Sequence, residues 1–172
     1  MTLALICCLL TATPVSGDNS QVRITLTIPR NTFASSERVV VVAEVEFLKS
    51  ATFNPFIFPG PYAISVYDQS GRSLEPRPGP IFEVPWRRCN YSRFRAGTHL
   101  RFEIPLNGDA ADSFFWRFEF SPGRYCVELI YNAQLFAELP VIECPHVYRD
   151  VALVRYAKSN RVCFEVVPEP AK

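Results

Sequence analysis

Two histidines in 172 residues leave little material for metal or acid–base chemistry. His99 and His146 stand far apart, so no His-x-x-x-His pair is present, and the cysteines form no Cys-x-x-Cys pair that would mark a zinc site. Gly-x-Ser-x-Gly and the phosphate-cradling glycine loop are missing as well. Charge of one sign is also lacking. Lysine and arginine total 18 against 17 acidic residues, a net +1, so no global field favours nucleic acid or an anionic membrane. No apolar run approaches the roughly 20 residues that span a bilayer. After Ala12 no stretch carries a capped apolar repeat of helical period. No repeat or linker divides the chain, whose length suits one domain with a substantial core.

What is present begins with a leader. Met1 to Ala12 (MTLALICCLLTA) is an uncharged apolar run, followed by Thr13-Pro14-Val15-Ser16-Gly17 and the first charge at Asp18. Val15 and Gly17 occupy the minus-three and minus-one places of a cleavage site before Asp18, the form of a signal peptide. The α-amino group is the only positive charge ahead of the run. The expected organisation is a signal peptide at 1–17, a single domain at 18–168 and a polar tail at 169–172. The expected location is secreted or periplasmic, with no membrane insertion once the leader is cut. Cleavage removes Cys7 and Cys8 and leaves Cys89, Cys126, Cys144 and Cys163. An even number in an exported chain implies disulfides, with three connectivities open.

The body reads as strands. Gln21 to Ile28 alternates Val22, Ile24, Leu26 and Ile28 against polar neighbours, a period of two. Glu37 to Phe47 is dense in β-branched residues, with Val41, Ala43, Val45 and Phe47 on one face, and is expected at the centre of a sheet. Tyr62 to Tyr67 closes on Asp68-Gln69-Ser70-Gly71, a hairpin turn in which glycine supplies the positive φ. Thr98 to Leu106, Phe114 to Phe120, Gly123 to Tyr131, Gln134 to Leu139 and Arg161 to Val167 add segments of the same kind, and Pro145 to Lys158 reads as one helical turn or an irregular strand. Seven or eight short strands with frequent turns predict an all-β fold, a Greek-key β-sandwich of the immunoglobulin-like or fibronectin-like kind.

Pro61 to Gly71, a Gly97-Thr98 turn, Ser121-Pro122-Gly123-Arg124-Tyr125-Cys126-Val127-Glu128-Leu129 and the closing Ser159 to Val166 resemble, in that order, exported bacterial immunoglobulin-like sandwich domains of mostly unassigned function. The layout, with a strand ending in Asp-x-x-Gly and a later Pro-Gly-x-Tyr strand, is also similar to the bacillus intracellular proteinase inhibitor domain. The resemblance spans roughly residues 21 to 167 and implies a fold rather than a partner. It departs from antibody-type domains, because strand 37 to 47 has no cysteine for their inter-sheet disulfide and no tryptophan stands where the third strand would place it.

Read by face, Cys126 lies opposite the apolar set Tyr125, Val127, Leu129 and Tyr131, and Cys163 lies opposite Val162, Phe164 and Val166. Both cysteines point outward, so as neighbours in one sheet they would bridge at a non-hydrogen-bonded pair. Cys89 would then pair with Cys144. Cys144-Pro145-His146 with Asp150 is the one place where thiol, imidazole and carboxylate lie close in sequence, but sequence proximity does not orient a thiol hydrolase. A disulfide with a surface histidine is the simpler reading, and neither a cofactor nor a metal is expected. Two loops are candidates for binding. Trp86, Arg87, Arg88, Tyr91, Arg93, Phe94 and Arg95 alternate guanidinium and aromatic groups around Cys89, a composition suited to an anionic or peptide partner or simply to a solvated cationic loop. Asn90-Tyr91-Ser92 also matches the N-glycosylation acceptor. Phe53, Phe56 and Phe58 form the second candidate, either capping the core or exposed for recognition. Phe114, Trp116, Phe118 and Phe120 read as core. These features predict a non-enzymatic module that binds a protein or glycan through its loops. The alternatives are a proteinase inhibitor presenting the arginine-rich loop and a small thiol hydrolase using Cys144 and His146.

Overall fold

The computed structural model describes residues 21–55, 62–77, 91–108, 117–133 and 150–169, and its named elements are all strands. They run β1 (Val22–Thr27), β2 (Thr32–Ala34), β3 (Val40–Phe47), β4 (Ala51–Phe53), β5 (Tyr62–Asp68), β6 (Ser73–Leu74), β7 (Ser92–Phe94), β8 (His99–Pro105), β9 (Gly123–Asn132), β10 (Tyr156–Lys158) and β11 (Val162–Val167). One sheet has the order β1-β3-β8. A second has the order β2-β11-β9-β5-β6, with β10 also on β9, and β4 and β7 form a separate ribbon. All pairings are antiparallel except that of β2 with β11.

Period-two alternation explains why these segments are strands and which way they face. Val22, Ile24 and Leu26 of β1 and Val41, Ala43, Val45 and Phe47 of β3 are buried, and β3 is the middle strand of its sheet, as its composition predicts. From the second sheet Tyr62, Ile64 and Val66 of β5, the four apolar residues from Tyr125 to Tyr131 of β9, and Phe164 and Val166 of β11 enter the same buried cluster. The two sheets therefore share one core, and Tyr62 reaches Phe102 across it at 6.2 Å between ring centroids. Each fully buried large apolar side chain contributes about 1.5–3 kcal/mol. An exposed pair such as Arg23–Glu46 contributes about 0–1 kcal/mol, so burial dominates the balance. The β5–β6 hairpin turns at Gly71, whose φ of 81° suits glycine, while Asp68 accepts hydrogen bonds from the backbone N–H groups of Ser70 and Arg72.

Cys126 and Cys163 face each other in register across β9 and β11 and are joined as a disulfide, with their Cα atoms 4.0 Å apart. Cys89 and Cys144 lie outside the described residues, as do the leader at 1–17 and the predicted strand Gln134 to Leu139. The segment Phe114 to Phe120 departs from expectation in its described part. Arg77 N–H donates to the Arg117 carbonyl while Phe118 N–H donates to the Leu106 carbonyl, so adjacent residues bond to chain from different sheets and no ladder can extend. Phe118 is nevertheless buried, and Phe120 packs on the core.

Two asparagines tie backbone segments together, Asn160 between the two sheets and Asn107 within the smaller one, between the chain after β8 and the chain before β3. Asn160 accepts from the Leu26 N–H at 2.7 Å and donates to the Leu26 carbonyl at 3.1 Å, so its amide takes the place of a neighbouring strand on β1. Asn107 likewise accepts from the Val39 N–H and donates to the Glu37 carbonyl. Asn160→Ala leaves Leu26 without both partners and is expected to lower stability by about 1–3 kcal/mol, read as a reduced urea midpoint with an unchanged slope.

Candidate functional site

The ends of several connections gather at one pole of the fold. Ribbon β4–β7 lies there, pairing Ala51 with Phe94 and Phe53 with Ser92. The described parts of the two candidate loops, distant in sequence, are thus neighbours. Phe53 is fully buried, stacking on Tyr131 at 4.3 Å and meeting Tyr62 edge-on at 6.1 Å. Phe94 stacks on Phe47 at 4.7 Å, and Tyr91 packs against the same cluster. Such aromatic pairs add about 0.5–1.5 kcal/mol each beyond area burial, so this floor is rigid. Asn54 continues it, its N–H donating to the Tyr131 hydroxyl and its carbonyl accepting from the Tyr62 hydroxyl. Burial pushes the Tyr62 phenol far above the usual range, and nearby Tyr91 adds to the effect.

A turn that sequence reasoning missed completes the pole. Asp150 accepts from the Ala152 N–H at 2.9 Å and from the Thr52 hydroxyl at 2.5 Å, while its carbonyl accepts from the Leu153 N–H. Thr52 exchanges backbone hydrogen bonds with Ala152 and Val154, clamping the turn to β4. The Thr52 hydroxyl first, then the Ala152 N–H, hold the Asp150 carboxyl below its ordinary range, and the Arg93 charge acts in the same direction. Val151 is carried at the tip, 95% exposed. The signal available was an aspartate opening Asp-Val-Ala-Leu, a turn-forming residue that bonds its own backbone two positions on.

The sequence-predicted site residues divide accordingly. Phe53 is a core residue and not part of an exposed recognition loop, because ribbon pairing with Ser92 turns it onto Tyr131. Tyr91 and Phe94 are likewise drawn inward, and Ser92 to Phe94 is a strand rather than loop. Arg93 and Arg95 are exposed on the rim. Trp86, Arg87, Arg88 and Asn90 lie outside the described residues, as do Phe56, Phe58 and His146. Among the described residues no group of three or more His, Cys, Asp or Glu gathers to hold a metal.

A second feature lies on the outer face of the larger sheet. Glu128, whose side chain is only 7% exposed, accepts from Arg161 Nε at 2.9 Å and pairs with Lys158 Nζ at 3.0 Å. The Arg161 guanidinium also lies 4.5 Å from the Tyr67 ring centroid. Burial pushes the Glu128 carboxyl up, but hydrogen bonds and charge from Arg161 and Lys158 together outweigh it and hold the group below the ordinary range. Beside this cluster is an open cleft of about 370 Å³ whose walls include Tyr67, Asp68, Gly71, Arg124, Cys126 and Arg161. No protein-family model matches the chain, and no curated protein matches it.

A carboxyl whose pKa is lowered on folding stabilises the protein above its unfolded pKa and loses that contribution as pH falls through the folded value. Glu128→Gln is therefore expected to destabilise the protein at pH 7 and to flatten the decline of wild-type stability below about pH 4.3, checked by urea midpoints across a pH series.

Proposed function

We propose that the chain is an exported, non-enzymatic interaction module, an immunoglobulin-like Greek-key β-sandwich that binds a protein or glycan partner through the loops of one pole. The observation that carries this reading is the gathering of chain ends there. The segments ending at Pro55 and beginning at Tyr62, the segment entering β7 at Tyr91, and those leaving at Ala133 and returning at Asp150 all adjoin the Phe53–Tyr131 floor. A rigid scaffold beneath several connections is the usual platform for recognition. Exposed Arg93, Arg95 and Val151 supply guanidinium and apolar groups on its rim.

The strand order supports the layout. A β1-β3-β8 sheet against β2-β11-β9-β5-β6 is similar, apart from the added β2 and β10, to the two sheets of an immunoglobulin-type sandwich, with the β3–β5 and β9–β11 connections at the same end, as in variable domains. The Tyr125 hydroxyl donates to the Ser121 carbonyl at 2.8 Å, an arrangement similar to the tyrosine corner of such folds. Export is supported by the leader pattern and by the Cys126–Cys163 bridge, which persists in oxidising compartments.

Purified protein, an Arg93→Glu/Arg95→Glu variant and an Arg72→Glu control at the opposite pole are to be compared on glycan and cell-surface protein arrays. The expected result is a ligand whose binding falls about ten-fold or more in the double variant and is unchanged in the control. Equal binding by all three proteins, or no ligand at all, would overturn the reading. Protease rates measured in parallel separate the inhibitor alternative, which requires the wild type to slow a protease and the double variant not to.

A further inference from the structure

The Cys126–Cys163 bridge sits in a setting that a purely structural staple does not need. On the outer face of the larger sheet the registers place Cys163 opposite Cys126 and Cys126 opposite Tyr67, with Arg124 opposite Glu165 in the next row. Both cysteines are half-buried rather than enclosed. Among the described residues, Cys126 lines the 370 Å³ cleft and Cys163 does not. Thiol–disulfide exchange is attack by a thiolate on one sulfur with departure of the other. The displacement is collinear, so a nucleophile reaching Cys126 must approach from the side away from Cys163. The strands run β11, β9, β5 across the sheet, so that side is the β5 side, where Tyr67 and the β5–β6 turn wall the cleft.

The cleft wall carries two guanidinium groups, while its carboxylate, Asp68, is held in an ion pair by Arg72. Arg124 stands two positions before Cys126 on the same face, is exposed, and makes no ion pair among the described residues. Arg161 stands two positions before Cys163, anchored by Glu128 and laid over Tyr67. Cations beside a sulfur stabilise its thiolate and make it a better leaving group. They also attract an anionic nucleophile, an effect that weakens with salt.

We propose that Cys126 is a thiol-exchange site at which a small carboxylate-bearing thiol, entering through the Arg124–Arg161 cleft, forms a mixed disulfide. The incoming thiolate bonds to Cys126 Sγ as the Cys126–Cys163 bond breaks, and the bonding pair departs on Cys163, which is protonated by solvent. One thiol is consumed and one is released, so no further oxidant or reductant enters. The site is separate from the binding pole, and the inference does not rest on that reading.

The test uses the folded, oxidised full chain with excess glutathione at neutral pH, with early samples quenched in acid, alkylated and peptide-mapped by mass spectrometry. The expected result is glutathione on Cys126 with a free thiol at Cys163, appearing faster than global unfolding in the same buffer. Arg124→Gln is expected to slow this about three-fold at low salt and to leave the reaction with uncharged 2-mercaptoethanol unchanged. Adduct on Cys163, no adduct at either sulfur, or exchange no faster than unfolding would overturn the proposal. Equal slowing with both thiols would overturn the role given to Arg124.

Discussion

Strand β9 is bonded along both edges, to β5 on one side and to β11 and then β10 on the other, and the larger sheet depends on that double pairing. Its ten residues present Tyr125, Val127, Leu129 and Tyr131 to the core. The residues alternating with them, Arg124, Cys126, Glu128 and Ile130, face outward. A slip of one residue would exchange the two sets, burying a guanidinium and a carboxylate while exposing two tyrosines. The same pleat therefore sets the aromatic floor of the pole, the register of the disulfide and the position of the Glu128 cluster.

Polar groups at the ends of strands complete what burial begins. Asn160 and Asn107 each bond one backbone donor and one backbone acceptor, in chain segments 134 and about 70 residues away, converting strand edges into joined surfaces. Asp150 holds the turn beneath Val151 by accepting from the Ala152 N–H and the Thr52 hydroxyl. These contacts are modest singly, but their removal leaves backbone groups unpaired, which costs more than the bonds contribute.

The pole and the outer face are two different environments on the same scaffold. At the pole, large aromatics are consumed in making the base, and Arg93, Arg95 and Val151 are left exposed at its rim. On the outer face the paired charges are partly enclosed, so Glu128, Lys158 and Arg161 hold one another where solvent screens them less than at the rim. The disulfide lies between Arg124 and that cluster because alternation leaves it no other face.

Alternation, turn chemistry and the outward direction of Cys126 and Cys163 were legible in the sequence, because each is a local property of an extended chain with a side-chain period of two. The same reasoning identified β1, β3, β5, β8, β9 and β11 and the inward residues of the core. It left Phe53 open between core and exposed loop and read Ser92 to Phe94 as loop, because the loop-like neighbours concealed a ribbon joining segments about 40 residues apart. It also had no means of placing Asn160 on Leu26, Asp150 on Thr52, or Arg161 over Tyr67. Those contacts depend on which strands become neighbours and which layers meet, and that choice is made by the burial of the whole core, not by the pattern of any one segment.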